Sequence, residues 1–472
     1  MPGFHPLLAR RHFLATAMVG TIGALVPVSC AHAETGGPGE TGADTLSPTL
    51  QAAANPVATS AGSSLSGSAA VPQPTGDTSI RPFKYRASDE ELADLKRRIR
   101  ATKWPDRETV NDDTQGVQLA IMRKVAEHWV NHDWRRAETQ IFSYPNFVTN
   151  IDGLDVHFIH VRSKHPNALP VIITHGWPGS VIEQLKIIDP LTNPTAHGGT
   201  EADAFDVVIP SLPGYGFSGK PTAPGWTVPR IATAWAELMK RLGYKKYVAQ
   251  GGDWGNAISE VMALQQPPGL LAIHTNMSAT LPETIRKALP AGPPPAGLSP
   301  DEQHAWEQLT DFYVHGLGYA IEMNQRPQTL YALADSPVGL AAWMLDHDAD
   351  SYAKISHAFL GGEPAGGLTR DAVLDNITLY WLTGTGASTS RLYWEYGRSA
   401  KAAFKDPPPH VKLPVAYTVF PDELFRAPRH WVKHAYHNLT YFNEADRGGH
   451  FAAWEEPELF AGEMRAAFKS LR

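Results

Sequence analysis

The sequence predicts an α/β protein with a mainly parallel sheet, a helical stretch ahead of the sheet and a second helical stretch inserted into it. Three observations carry this. From Phe147 onward, short apolar runs alternate with helical patterns, the order of a sheet wound by crossover helices. Two of the runs, Pro170 to Thr174 and Phe205 to Pro210, are almost continuously apolar, as in strands buried on both faces. Between Ile285 and Pro409 the alternation stops and helical patterns, proline-rich loops and aromatics replace it; it resumes at Leu413.

The bulk properties agree. The chain has 472 residues, 43% of them hydrophobic and 19% charged, with a formal net charge of −7. That length allows two or three domains. Acids and bases are mixed throughout, so no basic patch points to nucleic acid. A single cysteine excludes an internal disulfide framework and a cysteine-rich metal site. There is no H-E-x-x-H and no G-x-x-x-x-G-K-[ST], and no cofactor or metal is expected.

Residues 1–33 read as an export signal. Arg10-Arg11-His12-Phe13-Leu14 resembles a twin-arginine motif, an apolar run follows to Ser29, and Ala31-His32-Ala33 fits a cleavage site. The run falls short of the ~20 apolar residues that a membrane span prefers and contains Pro27. A retained anchor and a lipid on Cys30 are the alternatives. Cleavage after Ala33 leaves no cysteine and no stable membrane span, and places the protein in the periplasm or outside the cell. Residues 34–79 are Gly, Ala, Ser, Thr and Pro with few large apolar side chains, the composition of a linker.

Residues 80–146 form an N-terminal helical segment. Asp89 to Ile99 is amphipathic, with acids first and bases last as the helix dipole favours, and Ser88 is its N-cap. A second helix is expected around Val117 to Trp129. The segment is too small for a core of its own and is expected to pack on the main domain. Residues 147–284 form the first part of that domain. Strands are expected at Val156 to Val161, Pro170 to Thr174, Phe205 to Pro210, Tyr247 to Ala249 and Leu270 to His274, with a helix after the second and another at Val228 to Leu242. Residues 285–409 are the inserted cap. Residues 410–472 complete the sheet, with strands at Leu413 to Phe420 and Asn438 to Phe442 and a closing helix through Glu458-Leu459-Phe460.

The chemistry centres on Lys245 to Gln265. A short strand runs into Gly251-Gly252-Asp253-Trp254-Gly255 and leaves as a helix. This is the small-x-nucleophile-x-small turn of a nucleophile elbow, with Asp253 at the apex. An ionised carboxylate needs no base before it attacks an electrophilic carbon. The loop His175 to Ser180, just after a strand, can aim the Trp177 N–H at an oxyanion, and the residue after the nucleophile, Trp254, supplies a second N–H. On such a fold the order is nucleophile, acid, histidine. His450, in a glycine-led loop after the last strand, is the histidine; Glu423 is the acid, with Asp422 as its neighbouring rival.

At this point the chain resembles the microsomal-type epoxide hydrolases, in which an extra N-terminal segment precedes an α/β-hydrolase core. The resemblance runs from about Ile80 to the C-terminus. It rests on HGWPGS (His175 to Ser180), GGDWG (Gly251 to Gly255), DSPVGLAAW (Asp335 to Trp343), FPDE (Phe420 to Glu423) and RGGHFAAWEEPE (Arg447 to Glu458). It implies an α/β-hydrolase fold with an inserted helical cap and a small apolar epoxide plus water as substrates. Asp253 would be the nucleophile, His450 the base, Glu423 the acid, and two cap tyrosines, matched at Tyr319 and Tyr393, the proton donors to the epoxide oxygen. The departure is N-terminal: mammalian relatives carry a membrane anchor, whereas this chain has an export signal and a linker. A haloalkane dehalogenase shares the Asp-Trp pair but typically has Asn after His-Gly, where this chain has Trp177. A non-catalytic binding protein on a hydrolase scaffold is the other alternative.

Overall fold

The structure is a computed structural model that describes residues 76–277, 281–289, 292–403 and 410–472. The export signal and nearly all of the linker expected from the sequence lie outside the described residues. So do residues 404–409, at the expected end of the cap.

Among the described residues nine strands form one sheet: β1 (Arg81–Pro82), β2 (Asn146–Ile151), β3 (Leu154–Val161), β4 (Leu169–Thr174), β5 (Phe205–Pro210), β6 (Tyr247–Gly251), β7 (Leu270–Thr275), β8 (Val415–Val419) and β9 (Leu439–Glu444). Their spatial order is β1-β2-β3-β5-β4-β6-β7-β8-β9. From β5 to β9 every neighbouring pair is parallel; β1, β2 and β3 add an antiparallel edge. The five central strands are expected from their apolar runs because helices cover both faces.

Sequence patterning does not reveal β1 or β2. Two residues carry no period. In β2 the alternation is hidden, because Thr149 and Asn150 are buried as deeply as their apolar neighbours. Their polar atoms are used: Thr149 Oγ1 donates to Thr78 O at 2.9 Å, and Asn150 Nδ2 donates to Asp155 Oδ1 at 2.8 Å. Asp152 and Gly153, both with positive φ (52° and 82°), turn the chain tightly into β3. The helix expected after β4 is also different: a 3-10 stretch, Val181–Ile187, leads into a helix of five residues, Ile188–Thr192. Proline at 190 and again at 194 keeps this element short.

The N-terminal segment holds the helices Asp89–Arg100, Leu119–Val130 and Trp134–Phe142. Ser88 caps the first through a reciprocal pair with Glu91. The segment packs on the sheet domain as expected, with Phe83 and Phe142 against Phe217. It also grips the insertion. Trp129 Nε1 donates to Thr378 Oγ1 at 2.8 Å, and Arg136 pairs with buried Asp375 at 2.6 Å. Between β7 and β8 the described residues contain no strand. Their main helices are Pro300–Asp311, Gly318–Gln325, Pro337–Leu345, Ala349–Phe359, Arg370–Thr383 and Gly386–Ala403. No described helix is long and apolar enough to cross a membrane.

Candidate active site

β6 ends at Gly251, and the helix Trp254–Gln265 begins three residues later. Asp253 stands between them at φ 49° and ψ −128°. Such a conformation costs a non-glycine residue about 1–3 kcal/mol and persists only where its surroundings enforce it. Here they do. A Cβ on Gly251 would lie 2.0 Å from the Gly255 backbone, and one on Gly255 would lie 2.0 Å from Thr174 O. A Cβ on Gly176 would lie 2.2 Å from Asp253 Oδ1. Glycines at these three places let the loop after β4 close on the carboxylate, and the Trp177 N–H donates to Oδ1 at 2.8 Å. Trp254 opens the helix, where first-turn N–H groups have no intrahelical acceptor.

The other Asp253 oxygen faces His450, with Oδ2 3.5 Å from Nε2. His450 Nδ1 lies 2.5 Å from Glu423 Oε1. Glu423 is buried and held from two more directions: Asn276 Nδ2 donates to Oε2 at 3.0 Å, and its neighbour Leu424 N–H donates to Oε1 at 2.9 Å. A carboxylate can only accept, so Nδ1 carries the proton and the free position of the imidazole is Nε2, toward Asp253. Burial alone would lower the His450 pKa. The charges of Glu423 and Asp253 outweigh it and hold the imidazole well above its ordinary range. Burial likewise acts to raise Asp253, and hydrogen bonding and charge from His450 more than offset it, so the carboxyl lies below its usual value.

The rival acid has a different fate. Asp422 turns outward, its side chain 41% exposed, and pairs with Lys354 Nζ at 2.9 Å.

Both expected tyrosines are brought to this site from the insertion. Tyr319 stacks on Trp177, with ring centroids 4.8 Å apart and planes 18° apart. Tyr393 meets Trp254 edge-on at 4.7 Å, and the two tyrosine rings lie 6.0 Å apart. Burial first pushes the two phenols well above the ordinary tyrosine range; the Asp253 charge comes next for Tyr319, and for Tyr393 the Tyr319 phenol comes next and then Asp253. They therefore stay protonated across the working pH range.

Three residues at the site were not singled out from sequence. His347 and Asp348 belong to the insertion, with His347 Nδ1 2.7 Å from Asp348 Oδ2 and its ring centroid 4.6 Å from that of His450. Glu183 is buried in the turn after HGWPGS, with Oε1 accepting from Gln184 Nε2 at 2.8 Å. Burial pushes it up to about 8; Gln184 pulls it down in part, and the Asp253 charge adds to the rise. With Asp253, His450 and Gln250 it lines a cavity of about 20 Å³, the size of about one water molecule. The sequence signal for Glu183 was its place four residues after Gly179; nothing in the pattern shows that it faces inward. Asp253, His347 and His450 present atoms within 4.8 Å of one another, a spacing that a small cation could also span; none is assigned there.

Comparison with known proteins places this geometry in context. Residues 80–184 match the family described as "Epoxide hydrolase N terminus", and residues 170–322 match "alpha/beta hydrolase fold". A protein of Stigmatella aurantiaca, provisionally named an epoxide hydrolase, is 52% identical over 400 residues, covering 83% of this chain and 86% of its own. Epoxide hydrolase 1 of Sus scrofa is 36% identical over 410 residues, covering 84% and 89%. Among solved structures, juvenile hormone epoxide hydrolase of Bombyx mori superposes with a TM-score of 0.72 at 30% identity, covering 84% of this chain and 95% of its own. Epoxide hydrolase of Aspergillus niger gives 0.70 at 29%, covering 85% and 99%. The chain therefore belongs to the microsomal-type epoxide hydrolase family, with the α/β-hydrolase fold.

Proposed function

We propose that this protein hydrolyses small apolar epoxides to vicinal diols through a covalent ester on Asp253. The observation that carries the reading is the division of labour on one carboxylate: Oδ1 on the Trp177 N–H, Oδ2 facing the His450–Glu423 pair. The aromatic wall of Trp177, Trp254, Tyr319 and Tyr393 supports an apolar substrate.

In the first step an Asp253 oxygen bonds to an epoxide carbon, the ring C–O bond breaks, and the ring oxygen takes a proton from Tyr319 or Tyr393. This leaves an ester and a tyrosinate. Ester formation removes the Asp253 charge. His450 then loses one of the two anions that held it protonated, its pKa falls, and its proton passes to the tyrosinate, which leaves the imidazole a base. In the second step water gives a proton to His450 Nε2 and its oxygen adds to the ester carbonyl. The resulting oxyanion lies on the N–H groups of Trp177 and Trp254. Collapse expels the diol oxygen, which takes the proton from His450. Asp253 is left as a carboxylic acid carrying the water oxygen, and its proton passes to His450 Nε2, which restores the resting carboxylate and imidazolium. Glu423 accepts from His450 Nδ1 throughout and orients the imidazole.

The test is a single turnover in heavy-oxygen water with enzyme in excess. The diol is expected mostly unlabelled, with label in the peptide that contains Asp253. In His450→Gln the first step is expected to survive and the adduct to accumulate as added mass on that peptide. Label in the first diol, with no adduct in any variant, would instead make Asp253 a general base for direct attack by water.

From the sequence of residues 1–33 alone we also infer export by the twin-arginine route, to the periplasm or beyond. N-terminal sequencing from an export-competent host is expected to begin at Glu34; Met1 retained in membrane fractions would favour an anchor.

A further inference from the structure

Ester hydrolysis needs a water at the carbonyl carbon of Asp253, and the small cavity beside that residue is built to hold one. At about 20 Å³ it takes about one water molecule. The residues that line it, Glu183, Gln250, Asp253 and His450 among them, all belong to the sheet domain; Tyr319, Tyr393 and His347 are not of their number. It is therefore separate from the space in which the tyrosines meet an epoxide, and a bound epoxide does not displace its contents.

Four polar atoms of the lining residues are buried and make no hydrogen bond within the protein: Gln250 Oε1, Gln184 Oε1, Glu183 Oε2 and His450 Nε2. Buried polar atoms without a partner are costly, and one shared water relieves several of them together. Gln250 ends β6, two residues before Gly252 and three before the nucleophile, and is only 2% exposed. A Cβ on Gly179 would overlap Glu183 Oε2, so the loop His175 to Ser180 needs glycine there to admit this carboxyl.

The roles of these atoms are set by a chain of hydrogen bonds that starts at Glu423. A carboxylate only accepts, so Asn276 turns its Nδ2 to Glu423 Oε2 at 3.0 Å. That leaves Asn276 Oδ1 to accept from Gln250 Nε2 at 3.4 Å, and it leaves Gln250 Oε1 as a free acceptor in the cavity wall. Glu183 Oε1 already accepts from Gln184 Nε2, so Oε2 is the oxygen that remains. Burial keeps that carboxyl neutral at neutral pH, and Oε2 can donate.

We propose that this cavity holds the water that hydrolyses the ester, and that Gln250 and Glu183 are its positioning residues. Gln250 Oε1 accepts one proton of the water, with Gln184 Oε1 on the same wall as a second acceptor. The other proton faces His450 Nε2 once the imidazole has become a base. Glu183 donates to one lone pair, and the last lone pair is left for the carbonyl carbon of Asp253. As the new C–O bond forms, one O–H bond of the water breaks and its proton moves to Nε2, so the step needs no further reactant. Glu423 then acts in two directions: directly on the base, and through the amides of Asn276 and Gln250 on the water that the base activates.

This inference rests on the Asp253 ester mechanism, and the experiment separates the two. Full-length parent, Gln250→Met, Glu183→Met and Glu183→Gln are mixed rapidly with excess styrene oxide, a small apolar epoxide, and quenched over a range of pH. Ester is followed as added mass on the Asp253 peptide, and diol is measured beside it. Methionine keeps the length of either side chain but cannot hold a water; glutamine at 183 keeps hydrogen-bonding atoms there. Ester formation is expected within about 3-fold of the parent in all three variants, which also shows that each is folded. Ester hydrolysis is expected to fall about 10- to 100-fold in each methionine variant and to stay within about 3-fold in Glu183→Gln. In Gln250→Met the pH midpoint of ester hydrolysis is expected to match that of the parent, because base and acid are intact. Hydrolysis within about 3-fold of the parent in either methionine variant would overturn the inference. So would a shifted midpoint in Gln250→Met, which would mean that Gln250 acts on the base through Asn276 and Glu423. An equal loss of both steps would also overturn it, by making the two residues scaffold. Absence of any ester in the parent and in His450→Gln would instead overturn the mechanism on which the inference rests.

Discussion

The two halves of the active site are held in different ways. The half from the sheet domain, Asp253, Glu423 and His450, sits on turns at strand ends, where backbone crowding fixes Asp253 and hydrogen bonds hold Glu423 and His450. Asp253 is held at positive φ by glycines whose Cβ atoms would strike backbone 2.0 Å away. The half from the insertion, Tyr319, Tyr393 and His347, is fixed by faces of aromatic rings: Trp177 under Tyr319, Trp254 against Tyr393, His450 against His347. Backbone collisions leave one geometry. Ring contacts tolerate some adjustment. On the proposed mechanism the sheet domain carries out bond making and breaking, and the insertion supplies the protons for ring opening.

That division predicts a graded response to mutation. The largest contrast is between two adjacent carboxylates of the sheet domain. Glu423→Gln breaks the only carboxylate bond to His450 Nδ1 and removes one of the charges that orient the imidazole. Hydrolysis of the ester is expected to fall about 10²- to 10⁴-fold, with ester formation spared. Asp422→Asn loses only a half-exposed pair with Lys354 and is expected within about 3-fold of the parent, since such pairs contribute little. Rapid-quench measurement of ester and diol checks both. The reverse ranking would break the claim that position on the turn, and not mere proximity in sequence, selects the acid.

On the insertion side the effects are expected to be smaller and to fall on the other step. Tyr319→Phe or Tyr393→Phe removes one of two donors and keeps the ring stack. Each is expected to slow ester formation about 10- to 1000-fold without slowing ester hydrolysis, read by single-turnover fluorescence. Unchanged rates in both single variants would dissolve the assignment of proton supply to the insertion.

The same contrast explains what was legible in the sequence. Backbone-fixed features leave a local signature. The elbow reads as glycines around Asp253, the buried strands as apolar runs, and His450 as the residue that follows Gly448-Gly449. The strand β2 and the edge β1 leave none, since burial of Thr149 and Asn150 erases the alternation. The tyrosines were reached only through the family resemblance; fifteen tyrosines are present and nothing local distinguishes these two. His347 lies within Asp346-His347-Asp348, a run that reads as an ordinary polar connection between helices. Its place against the ring of His450, a hundred residues downstream, is encoded by no local pattern. The choice between Asp422 and Glu423 also needed coordinates, because either one can follow β8 into the turn.

Glu183 sharpens the comparison most finely, because it belongs to the sheet domain yet is held by burial and by the hydrogen bond from Gln184. Its carboxyl is pushed up to about 8 against an ordinary value of 4.5, first by burial and further by the Asp253 charge. At neutral pH it is therefore a neutral acid beside the nucleophile, and glutamine should replace it well. Glu183→Gln is expected to keep ester formation and hydrolysis within about 3-fold of the parent, since the amide preserves the shape and a hydrogen-bonding pair of atoms in the cavity shared with Asp253 and His450. The stability consequence has a definite sign. Between about pH 4.5 and about pH 8 the folded chain retains a proton that the unfolded chain has released, so stability falls as pH rises through this window. Below it both states are protonated and the loss is absent. Glutamine does not titrate and escapes the loss. Parent and variant are expected to unfold at similar denaturant concentrations at pH 4.5, and the variant to lead by a growing margin, of order a few kcal/mol at most, as pH approaches 8. A variant that is less stable at pH 8 than at pH 4.5, relative to the parent, would mean that Glu183 is ionised in the fold. It would then be held by hydrogen bonds to its charged form, like Glu423, and the sheet domain would place two anions beside the nucleophile where the present reading places one.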